Sequence, residues 1–235
     1  MNKLGIIGGL GPMATIYFME LVVKMTKADV DSDHIPMIVY SYPETPDRTA
    51  YLLDHSKPNP LPVILKMAKE LEEQKVDFIA MPCITAHYFG NEIHQSLKSA
   101  KFINMIEETA KYLHSIGATK IGLMATDGTV KSKVFEKTLN DYDIEVVVPS
   151  IESQKKVMRI IYDEVKAGKP VSITDLYDVK NELKDLGAKV CILGCTELSV
   201  VKGSYKLDND FVDVLDILAM KSVELCGGTL LETPC

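Results

Sequence analysis

The sequence predicts an α/β protein of two similar halves, each built from βαβ units on a mainly parallel sheet. Short runs of β-branched residues alternate with longer segments of helical period, which is the pattern of βαβ units. The 235 residues include 46% hydrophobic residues, enough for a sizeable buried core. Segments of the second half also repeat segments of the first, which indicates an internal duplication.

The first half begins with an apolar strand, "KLGIIGG", followed by a helix whose apolar side chains share one face. A second strand, "IPMIVYSY", precedes an amphipathic helix, "PVILKMAKELEEQ". A third strand, "VDFIAMP", ends directly before Cys83. These elements form the expected βαβαβ order of a parallel sheet.

The second half repeats this alternation. Strands are predicted at "KIGLMAT", "IEVVVPS" and "AKVCILGCTEL". Helices are predicted at "TVKSKVFEKTLNDY", at "ESQKKVMRIIYDEVKAG", which stops at Gly168, and at "TDLYDVKNELKDLG", which stops at Gly187. A short strand and a closing helix follow in "DFVDVLDILAMKSVEL", and the final "CGGTLLETPC" is expected to be a loose tail.

The repeated segments predict where the two halves meet. "KLGIIGG" matches "KIGLMAT", and "VDFIAMPCITAH" matches "AKVCILGCTELS", at nearly the same offset along the chain. We expect residues 1–100 and 211–235 to form one subdomain, closed by the C-terminal helix, and residues 101–210 to form the other. Matching strand ends can face each other across a pseudo-twofold axis, so Cys83 and Cys195 are expected in the cleft between the subdomains.

Composition narrows the function classes. The net charge of -7, the pI near 5.3 and the absence of a Lys/Arg run argue against a nucleic-acid or anionic membrane partner. A small-molecule partner is expected instead. The sequence has no signal-peptide pattern and no apolar stretch of membrane-spanning length, which predicts a cytoplasmic protein. Its five cysteines lack C-x-x-C spacing, which predicts free thiols and no metal site.

The glycine-rich turn "GGLGPMA" carries Gly9, Gly11 and Ala14 at the G-x-G-x-x-A spacing of a dinucleotide-binding turn. The second strand ends in residues 40–42, which offer no acidic residue for ribose hydroxyls, so an NAD-dependent dehydrogenase is disfavoured. Amides at the N-terminus of a helix also bind small anions such as a carboxylate, and this is the favoured role of the turn. Tight packing without a ligand is the alternative.

Two cysteine turns carry the strongest chemical signal. Cys83 and Cys195 each follow an apolar strand and precede a predicted helix, where amides and the helix dipole favour a thiolate. Either one alone would be interpreted as a structural thiol, as Cys191 is within its strand. Together, two thiols across a cleft could remove a proton from one face of a carbon and return one to the other face. A redox dithiol is the alternative, although it usually has C-x-x-C spacing.

Six motifs in order resemble those of the cofactor-independent aspartate/glutamate racemase family, and most of all its aspartate racemases. They are "GIIGGLGPMAT", "PDRTAYLL", "MPCITAH", "MIEETAK", "YDEVKAG" and "GCTELSVV", and the resemblance runs from about residue 3 to 225. It implies two Rossmann-like halves, a homodimer, no pyridoxal phosphate or other cofactor, and interconversion of L- and D-aspartate. It also implies that Cys83 and Cys195 are the two acid/base residues.

The resemblance further implies the residues that bind a dicarboxylic amino acid. Arg48 and Lys166 would be cations near the side-chain carboxylate, since guanidinium matches carboxylate geometry. Thr85 and Thr196 could donate hydrogen bonds to the α-carboxylate. The alternative is that Arg48 only pairs with Asp47 and that Lys166 lies on a solvated helix face.

Three further residues leave alternatives open. Glu197 could orient a neighbour or raise a thiol's basicity, and His87 could be catalytic or simply bound to the backbone. Ile84 stands where the family usually has Asn, and losing such a hydrogen bond to a charged group costs about 1.5–3 kcal/mol. Glutamate or broad-specificity racemisation, a maleate isomerase or hydantoin racemase activity, and a non-catalytic amino-acid-binding protein therefore remain as alternatives.

Overall fold

The computed structural model describes residues 1–231 and contains two four-stranded sheets in which every pair of neighbouring strands is parallel. The strands are β1 (Leu4–Gly8), β2 (Met37–Ser41), β3 (Phe78–Ala80), β4 (Lys101–Phe102), β5 (Lys120–Ala125), β6 (Glu145–Val147), β7 (Val190–Gly194) and β8 (Phe211–Asp213). The strand orders are β2-β1-β3-β4 and β6-β5-β7-β8. The α/β class with two Rossmann-like parallel sheets is confirmed.

Helices connect the strands and cover both sheets. They are α1 (Pro12–Met25), α2 (Arg48–Leu53), α3 (Leu61–Glu73), α4 (Gly90–Ser96), α5 (Met105–Ser115), α6 (Asp127–Ser132), α7 (Val134–Asn140), α8 (Ile151–Arg159), α9 (Ile173–Asp185), α10 (Thr196–Ser204) and α11 (Val214–Leu225). Short 3₁₀ segments lie at Asp31–Asp33 and Thr85–Phe89, and a π-helical segment, Ile160–Val165, continues α8. None of these helices has the length and apolarity needed to cross a membrane.

The two sheets repeat one plan, with β1 and β5 in equivalent positions and β3 and β7 beside them. β1 pairs with β2 from Leu4 opposite Met37, and β5 pairs with β7 from Ile121 opposite Val190. The sequence matches between the halves therefore correspond to equivalent strands. Cys83 follows β3 and Cys195 follows β7, so both thiols lie at the carboxyl ends of equivalent strands, where α/β folds bind ligands.

Sheet membership differs from the predicted subdomain boundaries at two short strands. β4 begins after residue 100 yet pairs with β3 in the first sheet, and β8 begins at residue 211 yet pairs with β7 in the second. Each adds a fourth parallel strand to the sheet that the chain has just built. We propose subdomains that follow the sheets, with α11 crossing back to pack against α1 and α5 of the first.

Helix capping brings several helix N-termini to the edge of the sheets that carries the cysteines. The side chain of Asn104 caps α5, that of Thr126 caps α6 and that of Asp213 caps α11, each directly after a strand or its exit turn. Capping side chains satisfy amides that the first helical turn leaves unpaired. These caps fix the entry of each helix beside the cleft.

Two local expectations are corrected. The predicted helix 129–142 is divided into α6 and α7 at Lys133, which has a left-handed φ of 54°. The segment after α11, which was expected to be a loose tail, is hydrogen-bonded as far as residue 231. The Lys27 amide donates to Thr229 O at 2.8 Å, and the Leu231 amide donates to Met25 O at 3.0 Å. Backbone pairing to the exit of α1 therefore fixes this segment. Cys235 lies outside the described residues.

Candidate active site

Cys83 and Cys195 line one small cavity between the two sheets. Their exposed fractions are only 6% and 5%, and the cavity volume is about 20 Å³, room for about one water molecule. The structure thus brings together the two thiols that the repeat predicted to meet. The cavity is lined by Leu10, Asp47, Arg48, Thr49, Cys83, Ile84, Thr85, Thr126, Tyr162, Lys166, Cys195, Thr196 and Glu197.

A carboxylate contacts the Cys195 thiol. The Sγ atom donates to Glu197 Oε2 at 2.9 Å, and the other oxygen, Oε1, accepts from Lys166 Nζ at 2.5 Å. Glu197 is itself buried, at 6% exposed. A buried carboxylate needs such partners, and here a thiol and an ammonium group supply them. Glu197 therefore links Cys195 to Lys166.

These contacts change the acid–base properties of the site. Burial, followed by the charge and hydrogen bond of the Glu197 carboxylate, raises the pKa of the Cys195 thiol well above its ordinary value. Burial lowers the pKa of Lys166, but the Glu197 carboxylate outweighs it and the pKa lies above its ordinary value. Lys166 is therefore a cation, and Cys195 carries its proton at neutral pH.

Arg48 serves the other thiol. Its buried guanidinium donates through Nη1 to Thr45 O at 3.1 Å and to Pro46 O at 3.0 Å, while Nε is buried without a partner. Burial acts to lower the pKa of Arg48, but the charge and hydrogen bond of Cys83, with other acidic groups, raise it. The guanidinium and Cys83 line the same cavity, and the guanidinium keeps a donor free.

His87 is held entirely by backbone groups. Its Nδ1 lies 2.9 Å from Cys83 O, and the Met105 amide donates to Nε2 at 3.2 Å. Nε2 must accept, so Nδ1 carries the proton and donates to the Cys83 carbonyl. Burial lowers the pKa of His87 to about 4. The neutral ring thus connects the Cys83 turn to the start of α5 through hydrogen bonds. Of the two roles considered for His87 from the sequence, the structure shows the ring bound to the backbone.

Three buried threonines form a ring of hydroxyls between the halves. Thr85 Oγ1 lies 3.1 Å from Thr126 Oγ1 and 3.0 Å from Thr129 Oγ1, and the last two are 3.1 Å apart. Each hydroxyl can donate one hydrogen and accept others, so the ring can satisfy all three. Thr85 and Thr126 also line the cavity, which gives it hydroxyl donors from both sheets.

The glycine turn lies next to the cavity, and its predicted role in binding an anion stays a prediction. Leu10 lines the cavity, whereas among the described residues Gly9 and Gly11 do not. The Gly9 amide donates to Thr15 Oγ1 at 3.0 Å, so it is already used within the turn. Gly11 has a φ of +122°, and a Cβ there would lie 2.7 Å from Glu197 Oε1. The physical reason for glycine at this position is the space that the carboxylate takes.

Ile84 forms an apolar wall of the cavity. Its exposed fraction is 1%, and it belongs to the largest hydrophobic cluster, packed with residues of both halves. Leu10 provides a second apolar surface. The departure predicted from the sequence therefore lies in the cavity itself, between Cys83 and Thr85.

A family comparison identifies the chain. Residues 7–221 match the family model described as Asp/Glu/Hydantoin racemase. The chain belongs to the Asp/Glu/Hydantoin racemase family. The resemblance inferred from the six motifs is thereby confirmed.

Individual relatives of this racemase family extend over almost the whole chain. It is 30% identical over 224 residues to the broad specificity amino-acid racemase RacX of Bacillus subtilis, covering 94% of this chain and 96% of that protein. The Picrophilus torridus aspartate racemase has a TM-score of 0.86 and 31% identity, covering 99% of this chain and 97% of that one. Glutamate racemase of Francisella tularensis, with 17% identity, 95% and 80% coverage and a TM-score of 0.66, shares the fold.

The structure adds site residues that sequence reasoning missed in this racemase-family chain. Thr126 ends "KIGLMAT", so the match to "KLGIIGG" could have placed it at the cleft. Tyr162 lies one helical turn before Lys166, whose Nζ is 5.4 Å from the ring centroid. The Tyr162 hydroxyl is 3.4 Å from Asp47 Oδ2, while Asp47 Oδ1 accepts from the amide of Ala50 and caps α2. Asp47 and Tyr162 thus connect the two halves over the cavity.

Proposed function

We propose that this chain is an amino-acid racemase that interconverts L- and D-aspartate without a cofactor, with Cys83 and Cys195 as the two acid/base groups. The observation that carries the proposal is that two thiols from equivalent strand ends are buried in one cavity with cationic groups. One thiolate removes the Cα proton, and the opposite thiol protonates the other face. The result is inversion at Cα.

The charged groups suit a dicarboxylic substrate. Arg48 and Lys166 supply two cations in a site with room for about one water molecule, and Arg48 Nε is free to donate. Such charge-assisted hydrogen bonds to carboxylates are stronger than neutral ones. Thr85 and Thr196 line the same cavity, and in this proposal they donate to the α-carboxylate. These donors also stabilise the negative charge that develops when the Cα proton leaves.

The small cavity volume requires movement on substrate binding. A space of about 20 Å³ cannot contain a dicarboxylic amino acid, so the lining must separate to admit one. Tyr162 also borders a larger surface cavity of about 570 Å³ and therefore forms the wall between the two spaces. Closing after binding would exclude water from the carbanion.

Ile84 favours a second candidate, a racemase of broader specificity. The Ile84 side chain gives the cavity an apolar wall that offers a substrate no hydrogen bond and can contact an apolar side chain. The relative from Bacillus subtilis is itself described as a broad specificity amino-acid racemase. Glutamate is the next substrate to examine, followed by neutral amino acids.

The test is proton NMR of each enantiomer of aspartate in deuterated buffer with the reduced protein, together with optical rotation. We expect loss of the Cα proton signal and decay of rotation to zero, and the same assay on glutamate and alanine measures specificity. Cys83→Ser and Cys195→Ser should each abolish inversion, whereas Cys191→Ser, which changes a buried strand thiol, serves as the matched control. Binding without deuterium at Cα for any amino acid would support the non-catalytic binding protein.

Assembly and location remain predictions. The homodimer can be tested by analytical ultracentrifugation, where a sedimenting species of twice the 26.1 kDa chain mass is expected. The cytoplasmic location can be tested by fractionation of cells.

A further inference from the structure

The two thiols stand in different electrostatic surroundings, although their strands are equivalent. Two residues after Cys83 the chain has Thr85, which joins the ring of hydroxyls, whereas two residues after Cys195 it has Glu197. Arg48 is a cation that lines the cavity from the half that carries Cys83, and the Glu197 carboxylate contacts Cys195. The pseudo-symmetric site thus has a cation at one thiol and an anion at the other.

The structure holds the Glu197 carboxylate firmly against Cys195. Its Oε1 is fixed by Lys166 Nζ at 2.5 Å and its Oε2 by Cys195 Sγ at 2.9 Å. Gly11 of the opposite half leaves the space that Oε1 occupies, since a Cβ there would lie 2.7 Å away. Three different elements therefore determine one carboxylate position, which is the arrangement expected of a group with a defined role.

The other ionisable groups around Cys195 do not cancel this effect. Lys166 is paired with the other oxygen of Glu197, and its charge lowers the pKa of Cys195 by less than burial and the Glu197 carboxylate raise it. Burial is the main cause that raises the pKa of Tyr162 to about 12, so its phenol is neutral. Cys83 lies across the same cavity, where two thiolates would repel each other.

We infer that Glu197 is a positioning residue that keeps the proton on Cys195, so that Cys195 is the proton donor and Cys83 the base when substrate first binds. The inference rests on the proposed racemase function for its chemical consequence. It assigns which thiol acts as base and which as acid when substrate first arrives. For the enantiomer whose Cα proton faces Cys83, Cys83 removes that proton and Cys195 donates its own. The other enantiomer reacts with the product form of the enzyme, in which the two roles are exchanged.

The protons and charges balance in this sequence. Cys83 Sγ⁻ takes the Cα proton and forms S–H while the C–H electron pair moves into the substrate carboxylate. Cys195 Sγ–H then gives its proton to the opposite face of Cα and becomes Sγ⁻. The product form has the thiolate beside the Glu197 carboxylate, and the repulsion drives return to the resting form by proton exchange with water after product leaves.

The different surroundings of the two thiols do not produce a preference for one enantiomer in kcat/KM. The two enantiomers have equal free energies in water, so the ratio of their kcat/KM values equals one for every variant. The difference appears in the thiol titration and in the alkaline limb of the kcat/KM profile, which reports loss of the second thiol proton.

The experiment is carbon-13 NMR of the protein labelled at cysteine Cβ, titrated with pH, with Cys83→Ala and Cys195→Ala assigning the two signals. We expect Cys195 to stay protonated through neutral pH in the unsubstituted protein. Glu197→Gln should lower its titration midpoint by about 1–3 pH units, because a buried negative charge is removed and Lys166 remains. The alkaline limb of kcat/KM should move in the same direction. Glu197→Asp should restore part of the shift.

Two further variants keep the result interpretable. Lys166→Met removes the cation and should move the Cys195 midpoint upward, opposite to Glu197→Gln, so the test does not depend on one variant folding. Glu73→Gln removes an exposed carboxylate on α3 and should leave both thiols unchanged. An unchanged Cys195 midpoint in Glu197→Gln, or a Cys195 thiolate at neutral pH in the unsubstituted protein, would overturn the inference. Absent turnover with the expected titration would instead contradict the proposed function.

Discussion

Replacing His87 with phenylalanine removes two hydrogen bonds while keeping an aromatic ring of similar volume beside Phe102. His87 donates to Cys83 O at 2.9 Å and accepts from the Met105 amide at 3.2 Å. The substitution leaves a buried carbonyl and a buried amide unpaired, at about 1–3 kcal/mol each. We therefore expect the free energy of unfolding to fall by roughly 2–6 kcal/mol, a large part of the stability of a typical domain.

His87 should also make the free energy of unfolding depend on pH, which a packing defect alone would not do. Burial lowers the pKa of His87 from 6.5 to about 4. The unfolded chain therefore binds a proton that the folded chain does not, and the stability from neutral His87 is present above pH 6.5 and is lost as the pH falls toward 4. A difference of this size corresponds to about 3 kcal/mol across that window. His87→Phe should lack this loss.

Urea denaturation at both ends of that pH window measures the effect, with His94→Phe, an exposed position on α4, as the matched control. We expect the unsubstituted protein and His94→Phe to lose stability in parallel on acidification. The curve for His87→Phe should be flatter, and the stability gap between it and the other two should narrow at low pH. A gap that stays constant with pH would refute a neutral His87 as the connection between the Cys83 turn and α5.

Three other substitutions test the packing around the site. Gly11→Ala should reduce activity and stability more than Gly117→Ala does in parallel assays. Both glycines have a positive φ, but a Cβ at Gly11 would lie 2.7 Å from the Glu197 carboxylate, whereas a Cβ at Gly117 would have no atom within 4 Å. Equal losses in the two variants would contradict this reasoning. Gly128→Ala places a Cβ 2.9 Å from a Cα atom of α2. We expect the free energy of unfolding in urea to fall by about 1–3 kcal/mol and turnover to decrease. Unchanged stability and turnover would show that α2 and α6 can move apart to accept the Cβ. Burial, followed by the charge of Asp216, raises the pKa of Asp213 from 3.8 to about 7. The stability contributed by protonated Asp213 is therefore fully present below pH 3.8 and is lost as the pH rises through 7. Asp213→Asn should remove this loss and be more stable than the unsubstituted protein at alkaline pH, whereas a parallel pH dependence of the two proteins would contradict this.

The sequence predicted the fold well because its signals are local and repeated. Alternating apolar strands and amphipathic helices identify the class, and the matches between halves identify equivalent strands. The limits of the prediction lie in the shortest elements. β4 has two residues and β8 has three, too few for a periodic pattern, so the sheet to which each belongs could not be predicted. Their sheet membership depends on long-range pairing that no local pattern contains.

The candidate site divides in the same way. Cys83, Cys195, Arg48 and Lys166 were found from strand ends and family motifs, and they meet in one cavity. The glycine turn was interpreted as an anion site because its spacing is typical of one, but a side chain distant in sequence, Glu197, takes the space over it. The ring of threonines and the contacts of Tyr162 join residues of both halves. Contacts of this kind require the tertiary structure.

The most direct test of the two-thiol account is the deuterium content of substrate and product early in turnover, measured by mass spectrometry after chiral separation in deuterated buffer. If Cys83 and Cys195 act on opposite faces, the product receives its hydrogen from a thiol that has exchanged with solvent, while returned substrate regains its own proton. We predict product that is deuterated at Cα and remaining substrate that is not, starting from either enantiomer. Equal deuterium in substrate and product would show a single base acting on both faces and would contradict the account.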